Sequence, residues 1–149
     1  MRKGVFLLLV SVVCFLTSCD TDRDDIKLSQ AELIEFRKIV KNGEWKVSKF
    51  IENGTAKTNN YDGYSFSFQE LNTLIASGNA AEVNGTWSTN RDEGPGYEAN
   101  KKIYLHLFFG ADEKLSNLTN SFIVISASSS EIELEVMDND STLLSFRKN

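Results

Sequence analysis

Two periods of apolar residues follow one another along the chain. Leu33, Phe36, Ile39 and Val40 recur at helical spacing and predict one helix over Leu28 to Asn42. Ser29 and Glu32 read as its capping box, each side chain meeting the other residue's backbone N–H, with Leu28 and Leu33 at the flanking staple positions. Gly43 follows where a left-handed residue ends a helix, and Lys38 and Lys41 stand in the last turn, where the helix dipole favours positive charge.

Beyond Gly43 the period falls to two. Trp45, Val47 and Ile51 share one side of a first strand, which stops at Asn53-Gly54, a tight-turn signal. Tyr64, Phe66 and Phe68 alternate with Ser65 and Ser67, as in a strand with its aromatic side inward. Thr73 to Ala76 and Ala81 to Thr89 pair around Ser77-Gly78-Asn79, with a further bend at Asn84-Gly85. Asn90 to Asn100 carries Gly94-Pro95-Gly96 among charges and reads as a loop. Ile103 to Phe109 is apolar on both faces apart from His106. Phe122 to Ala127 and Ile132 to Val136 form a hairpin in which Glu131, Glu133 and Glu135 interleave with Ile132, Leu134 and Val136. Asp138-Asn139-Asp140 turns the chain into a last strand, Thr142 to Arg147.

Parallel pairing needs crossovers of about a dozen residues or more, and no second helical pattern separates these strands. The expected fold is therefore all-β: an antiparallel up-and-down meander of about eight strands behind one short helix. About eight strands close a barrel whose interior is just wide enough for side chains or one small ligand. A sandwich or an incompletely closed barrel is the alternative. From Ile26 onward the chain is long enough for one core and too short for two.

The N-terminal segment follows neither period. Arg2 and Lys3 precede an apolar run from Val5 to Leu16 and then small residues, the three parts of a secretory signal. The run is shorter than the roughly 20 residues that span a bilayer. Leu16-Thr17-Ser18-Cys19 resembles the lipobox of bacterial lipoproteins, which implies removal of residues 1–18 and acyl chains on Cys19. Several acyl chains hold a protein firmly at a membrane where one holds it marginally. Residues 19–27 then form an acidic tether and 28–149 the folded domain. Asp20, Asp22, Asp24 and Asp25 resemble the export tether of surface lipoproteins in some Gram-negative bacteria, whereas the enterobacterial sorting scheme reads Asp20 as a signal for inner-membrane retention. The continued run of acids favours the outer membrane or cell surface.

Composition narrows the chemistry. Both cysteines, Cys14 and Cys19, lie in the signal region, so the mature domain has no internal disulfide and must be held by packing. Loss of Arg2 and Lys3 leaves 14 basic and 21 acidic residues, a net charge of −7, which argues against nucleic acid as a partner. His106 is the only histidine, and neither Gly-x-Ser-x-Gly nor His-Glu-x-x-His occurs. A serine nucleophile needs a base beside it, so catalysis would require folding to bring His106 to a serine and an acid. Glu131, Glu133 and Glu135 line the solvent face of one strand, unlike the paired acids across a glycosidic bond. Asp138-Asn139-Asp140 and Asp112-Glu113 lack the remaining ligands of a calcium loop, and no zinc or haem spacing is present. The expectation is a non-enzyme without metal or cofactor.

With its short helix, its Gly43-Glu44-Trp45 at the start of the first strand and its run of hairpins, the chain resembles a bacterial lipocalin-like lipoprotein domain over Leu28 to Lys148. The Gly-x-Trp match implies a late Arg packed across Trp45, for which Arg147 is the sole candidate by position, although alternation with Phe146 inward directs Arg147 outward. Trp45, Tyr64, Phe66, Phe68, Trp87 and Tyr104 are candidate cavity-lining residues, with His106 as a polar tip at the mouth. The same rings would equally fill a core. Two functions follow: a lipid-anchored, non-enzymatic envelope protein that binds a small, mostly apolar ligand inside the barrel, or a module that holds a protein or glycan through its loops and outer face. Tyr61 and Tyr97 are candidates for stacking on sugar rings in the second.

Overall fold

The computed structural model describes residues 21–92, 101–137 and 139–149. The lipobox with Cys19, the Gly94-Pro95-Gly96 turn, Tyr97 and Asp138 lie outside the described residues. One helix, α1 (Thr21–Lys41), precedes β1 (Glu44–Glu52), β2 (Thr55–Ala56), β3 (Ser65–Phe68), β4 (Thr73–Ser77), β5 (Glu82–Arg91), β6 (Ile103–Phe108), β7 (Asn120–Ala127), β8 (Glu131–Val136) and β9 (Asn139–Lys148). Every pairing is antiparallel, each strand from β3 to β9 lies beside the next, and β1 pairs with both β3 and β9. The sheet thus closes into a barrel of eight strands, to which β2 adds a two-residue spur on β1. This is the up-and-down architecture of lipocalins.

Among the described residues the helix already runs from Thr21, ahead of the expected Leu28. Residues 21–27, read as part of the tether, therefore belong to the helix. Ser29 is interior to the helix, and Glu32 pairs across to Arg91 of β5 instead of closing a capping box. Phe36 and Val40 are buried under the barrel with Ile39 beside them, and Lys41 holds Glu70 at 2.6 Å. That ammonium keeps the Glu70 carboxyl below the usual range. Gly43 ends the helical segment at φ +83°, as the residue type requires.

In β1 the expected alternation fails at one residue. Val47 faces Phe146, but the next pair is Lys49 with Ser145, so Ser48 is an inserted bulge residue whose hydroxyl donates to the Ser145 carbonyl. The insertion turns Phe50 into the core in place of Ile51. A second bulge at Ile125 of β7 leaves that side chain exposed between Val124 and Ser126. The Asn53-Gly54 turn forms as expected, with φ of 50° and 77°. No bend occurs at Asn84-Gly85; β5 runs through it, and Gly85 instead makes room for its neighbours in β6.

Between β1 and β3 the ladder has only two register pairs, Glu44 with Ser67 and Trp45 with Phe66. The remaining edge of β1 is covered by the helical turn Thr58–Tyr61: the Lys57 N–H donates to the Phe50 carbonyl at 2.8 Å, and Thr58 Oγ1 accepts from the Phe50 N–H at 2.9 Å. Tyr61 is the plug of this seam. It is buried edge-on to Phe50 at 5.3 Å, not exposed for stacking on a ligand, and its hydroxyl has no hydrogen-bond partner among the described residues. Burial, with a further contribution from the Glu52 carboxylate, pushes its pKa up to about 12. A phenol that ionises later in the folded state than in the unfolded one contributes stability below pH 10, and that contribution disappears as the pH rises from 10 towards 12. We expect a loss on the order of 2 kcal/mol across that window, measured by urea unfolding, and no such component in Tyr61→Phe. Below that window Tyr61→Phe should be as stable as the parent or more so, because it removes an unpaired buried hydroxyl.

Candidate functional site

The barrel interior is built from the inward positions of the strands. Trp45, Phe66, Phe68 and Trp87 are all buried, and the rings of Phe66, Phe68 and Trp87 meet other rings. Phe66 and Phe68 lie 5.4 and 5.8 Å from Phe146, Phe68 lies 5.5 Å from Trp87, and each contact is edge-to-face, the favoured arrangement for aromatic quadrupoles. Both indole N–H groups are engaged: Trp45 donates to the Val40 carbonyl at 2.8 Å, and Trp87 to the Gln69 carbonyl at 2.9 Å. Of the four residues expected to line a cavity, Phe66, Phe68 and Trp87 thus pack against one another or against Phe146, and the two indoles direct their polar atoms to backbone.

Cations cover the two indole faces. Arg37 of α1 stands 4.9 Å from the Trp87 ring and donates to Thr89 Oγ1. Lys148 places its Nζ 4.5 Å from the centre of Trp45, against Gly43, where a Cβ would come within 3.0 Å of the lysine chain. Arg147 does not take this position. It is two-thirds exposed and reaches Glu131 at 3.3 Å. Strand alternation explains the exchange, since Phe146 points inward and Lys148, not Arg147, shares its side.

Tyr104 and His106 lie on the outer wall, opposite the inward Leu105 and Leu107. Their rings stack at 6.4 Å, and the Tyr104 hydroxyl donates to Asp92 at 3.1 Å. His106 Nδ1 is 2.8 Å from Ser121 Oγ and Nε2 is 2.6 Å from Asn90 Oδ1, giving a polar row across β5, β6 and β7. The serine is within reach of the imidazole, while the second partner is a neutral amide. Beside this row a groove of about 480 Å³ is bounded by Trp87, Ser88, His106, Phe108 and the pair Leu71-Asn72. Leu71 is 95% exposed and held at φ +55°, a left-handed conformation that costs a branched residue roughly 1–2 kcal/mol. Phe108 next to it is 56% exposed.

A second groove, of about 400 Å³, opens at the end of the barrel away from α1, between the Thr58–Tyr61 and Leu115–Leu118 turns. Tyr64 lies there, half-buried, with its ring seated on Gly78. Asp112, weighed above as a cation ligand, caps the second turn by accepting from the N–H groups of Lys114 and Leu115. The sequence reading did not single out Asn59, Asn60, Lys114 and Asn117, which complete this groove with Glu113; the runs Asn59-Asn60 and Asp112-Glu113, placed between strands, were the available signals. Of the acidic ladder, Glu133 accepts from Ser126 at 2.8 Å and Glu131 binds Arg147, both on the outer surface. Among the described residues no group of three or more acids, histidines or cysteines is placed to hold a metal, and no helix is long and apolar enough to cross a membrane.

No family model matches the chain, and no curated protein matches it by sequence. Two solved structures are similar to it. A lipocalin-like protein from Bacteroides uniformis ATCC 8492 is 21% identical, with a TM-score of 0.46 over 72% of this chain and 96% of that one. A DUF4847 family protein from Bacteroides vulgatus ATCC 8482 is 18% identical over 76% of this chain and 96% of its own, and at a TM-score of 0.50 it shares the fold.

Proposed function

We propose that the protein is a lipid-anchored, non-enzymatic lipoprotein of the bacterial cell envelope, displayed at the outer membrane or cell surface, whose barrel is a solid support and whose binding is done by its loops and outer face. The observation that supports this reading is the edge-to-face packing that links Phe66, Phe68, Trp87 and Phe146 inside the barrel. A ligand pocket needs apolar walls and a few free polar groups, and both indole N–H groups here are bound to backbone. The anchor rests on Leu16-Thr17-Ser18-Cys19 after a complete signal.

The test is native mass spectrometry of the full chain, produced in a lipoprotein-processing bacterium and purified in detergent. The expected mass is that of the acylated polypeptide from Cys19 with no small apolar molecule retained. A stoichiometric apolar molecule that Phe68→Trp displaces would overturn the reading in favour of an interior ligand. In the same cells Cys19→Ala should move the protein from the membrane to the soluble fraction, and unchanged membrane association would remove the anchor.

A further inference from the structure

We infer that the groove at the end of the barrel away from α1 binds a neutral saccharide, an inference that rests on the outer-surface reading and names its ligand class. The groove is lined by Asn59, Asn60, Asp62, Tyr64, Glu113 and Asn117, together with Lys114. Carboxamides supply donors and acceptors, carboxylates supply acceptors, and the ammonium and phenol supply donors. A sugar hydroxyl both donates and accepts, so a polyhydroxylated ring is the ligand class that satisfies such a mixture. Two carboxylates against one ammonium disfavour an anion, and the polar lining disfavours an apolar molecule. The volume of about 400 Å³ lies within the range of small-molecule sites.

Two further observations point the same way. Among the described residues, the side chains of Asn59, Asn60, Asp62, Glu113, Lys114 and Asn117 make no hydrogen bond or ion pair, so their donors and acceptors are open to a ligand. The groove is also held in shape before anything binds. The Thr58–Tyr61 turn is anchored by Tyr61 and by Thr58 on β1; the Leu115–Leu118 turn is anchored by two leucines with no exposed surface and capped by Asp112. Each turn thus buries its apolar residues and presents polar ones, which lowers the ordering cost of binding. Tyr64 offers a fixed ring beside them, backed by Gly78 and tilted 35° to Phe66.

The experiment applies the full chain in detergent to an array of defined neutral and acidic oligosaccharides, followed by calorimetric titration with the best-retained one. Retention of a neutral class is expected, with affinity falling about tenfold or more in Asn60→Ala, Asn117→Ala and Tyr64→Ala and unchanged in His106→Ala. Asn60 and Asn117 are exposed, so their variants fold, and a circular dichroism melt confirms it. Retention of no oligosaccharide, retention of acidic glycans only, or full affinity in an Asn60→Ala/Asn117→Ala variant would each overturn the proposal. The two levels fail separately. An empty array with an empty interior removes the saccharide and leaves the outer-surface reading, whereas an apolar molecule inside the barrel removes that reading itself.

Discussion

Replacing Trp45 with alanine should lower the unfolding free energy by about 4 kcal/mol, near the middle of the range for deleting a buried large aromatic ring. The ring has no exposed surface, and it joins three parts of the molecule. Its N–H holds the Val40 carbonyl at the end of α1, its face carries the Lys148 ammonium, and its backbone pairs with β3 on one side and β9 on the other. Domains of ordinary stability have about 5–15 kcal/mol in total, so the variant should be partly unfolded at physiological temperature. Urea unfolding measures this as a large drop in midpoint with little change in slope. Trp45→Phe retains most of the apolar area and loses the hydrogen bond, and should cost about 1–2 kcal/mol. A cost below about 2 kcal/mol for Trp45→Ala would show that the surrounding side chains collapse into the space and that the ring is not the joint described above.

The second large effect is expected at Gly85. A Cβ added there would stand 2.5 Å from the Phe108 carbonyl oxygen and 2.8 Å from the Phe109 ring. Neither neighbour can swing away, because the carbonyl belongs to the β5–β6 ladder and Phe109 is buried in the core. Gly85→Ala should therefore cost at least about 2 kcal/mol through overpacking. Gly54→Ala is the comparison: no atom lies within 4 Å of the added methyl, and its φ of +77° alone should cost roughly 1 kcal/mol. If the two variants lose the same amount, the close approach of β5 to β6 is relaxed in solution and the assigned reason for a glycine at this position is wrong.

Much of this fold is legible in local sequence periods, and the misses have physical causes. The helical face through Phe36 and Val40, the Asn53-Gly54 turn, the β4–β5 pair and the alternation of Glu131, Glu133 and Glu135 all follow from spacing over a few residues. The bulge at Ser48 does not, because Phe50 and Ile51 are both apolar and either satisfies the local pattern. Alternation placed Trp45, Phe66, Phe68 and Trp87 inward, but inward-facing rings wall a cavity or fill it depending on what meets them from distant strands. Phe146, which lies between Phe66 and Phe68, belongs to a strand about as far away in sequence as this domain permits. The same alternation held the answer at Trp45, where the side that excludes Arg147 admits Lys148. The end groove is the least legible feature: its two walls, around Asn59 and Asn117, come from turns with no period of their own, brought together only when the barrel closes.

That closure has a consequence in time. The longest partnership of β1 is with β9, from Trp45 opposite Lys148 to Ile51 opposite Leu143, and no nearer strand can substitute for it. A chain still being synthesised therefore carries β1 with one side unsatisfied until β9 has emerged. Pairings between such distant segments also fold slowly, because the loop must be closed before its contacts stabilise it. The barrel consequently locks late, and until that moment the aromatic side of β1 and β3 lacks its partner strand and is prone to aggregation.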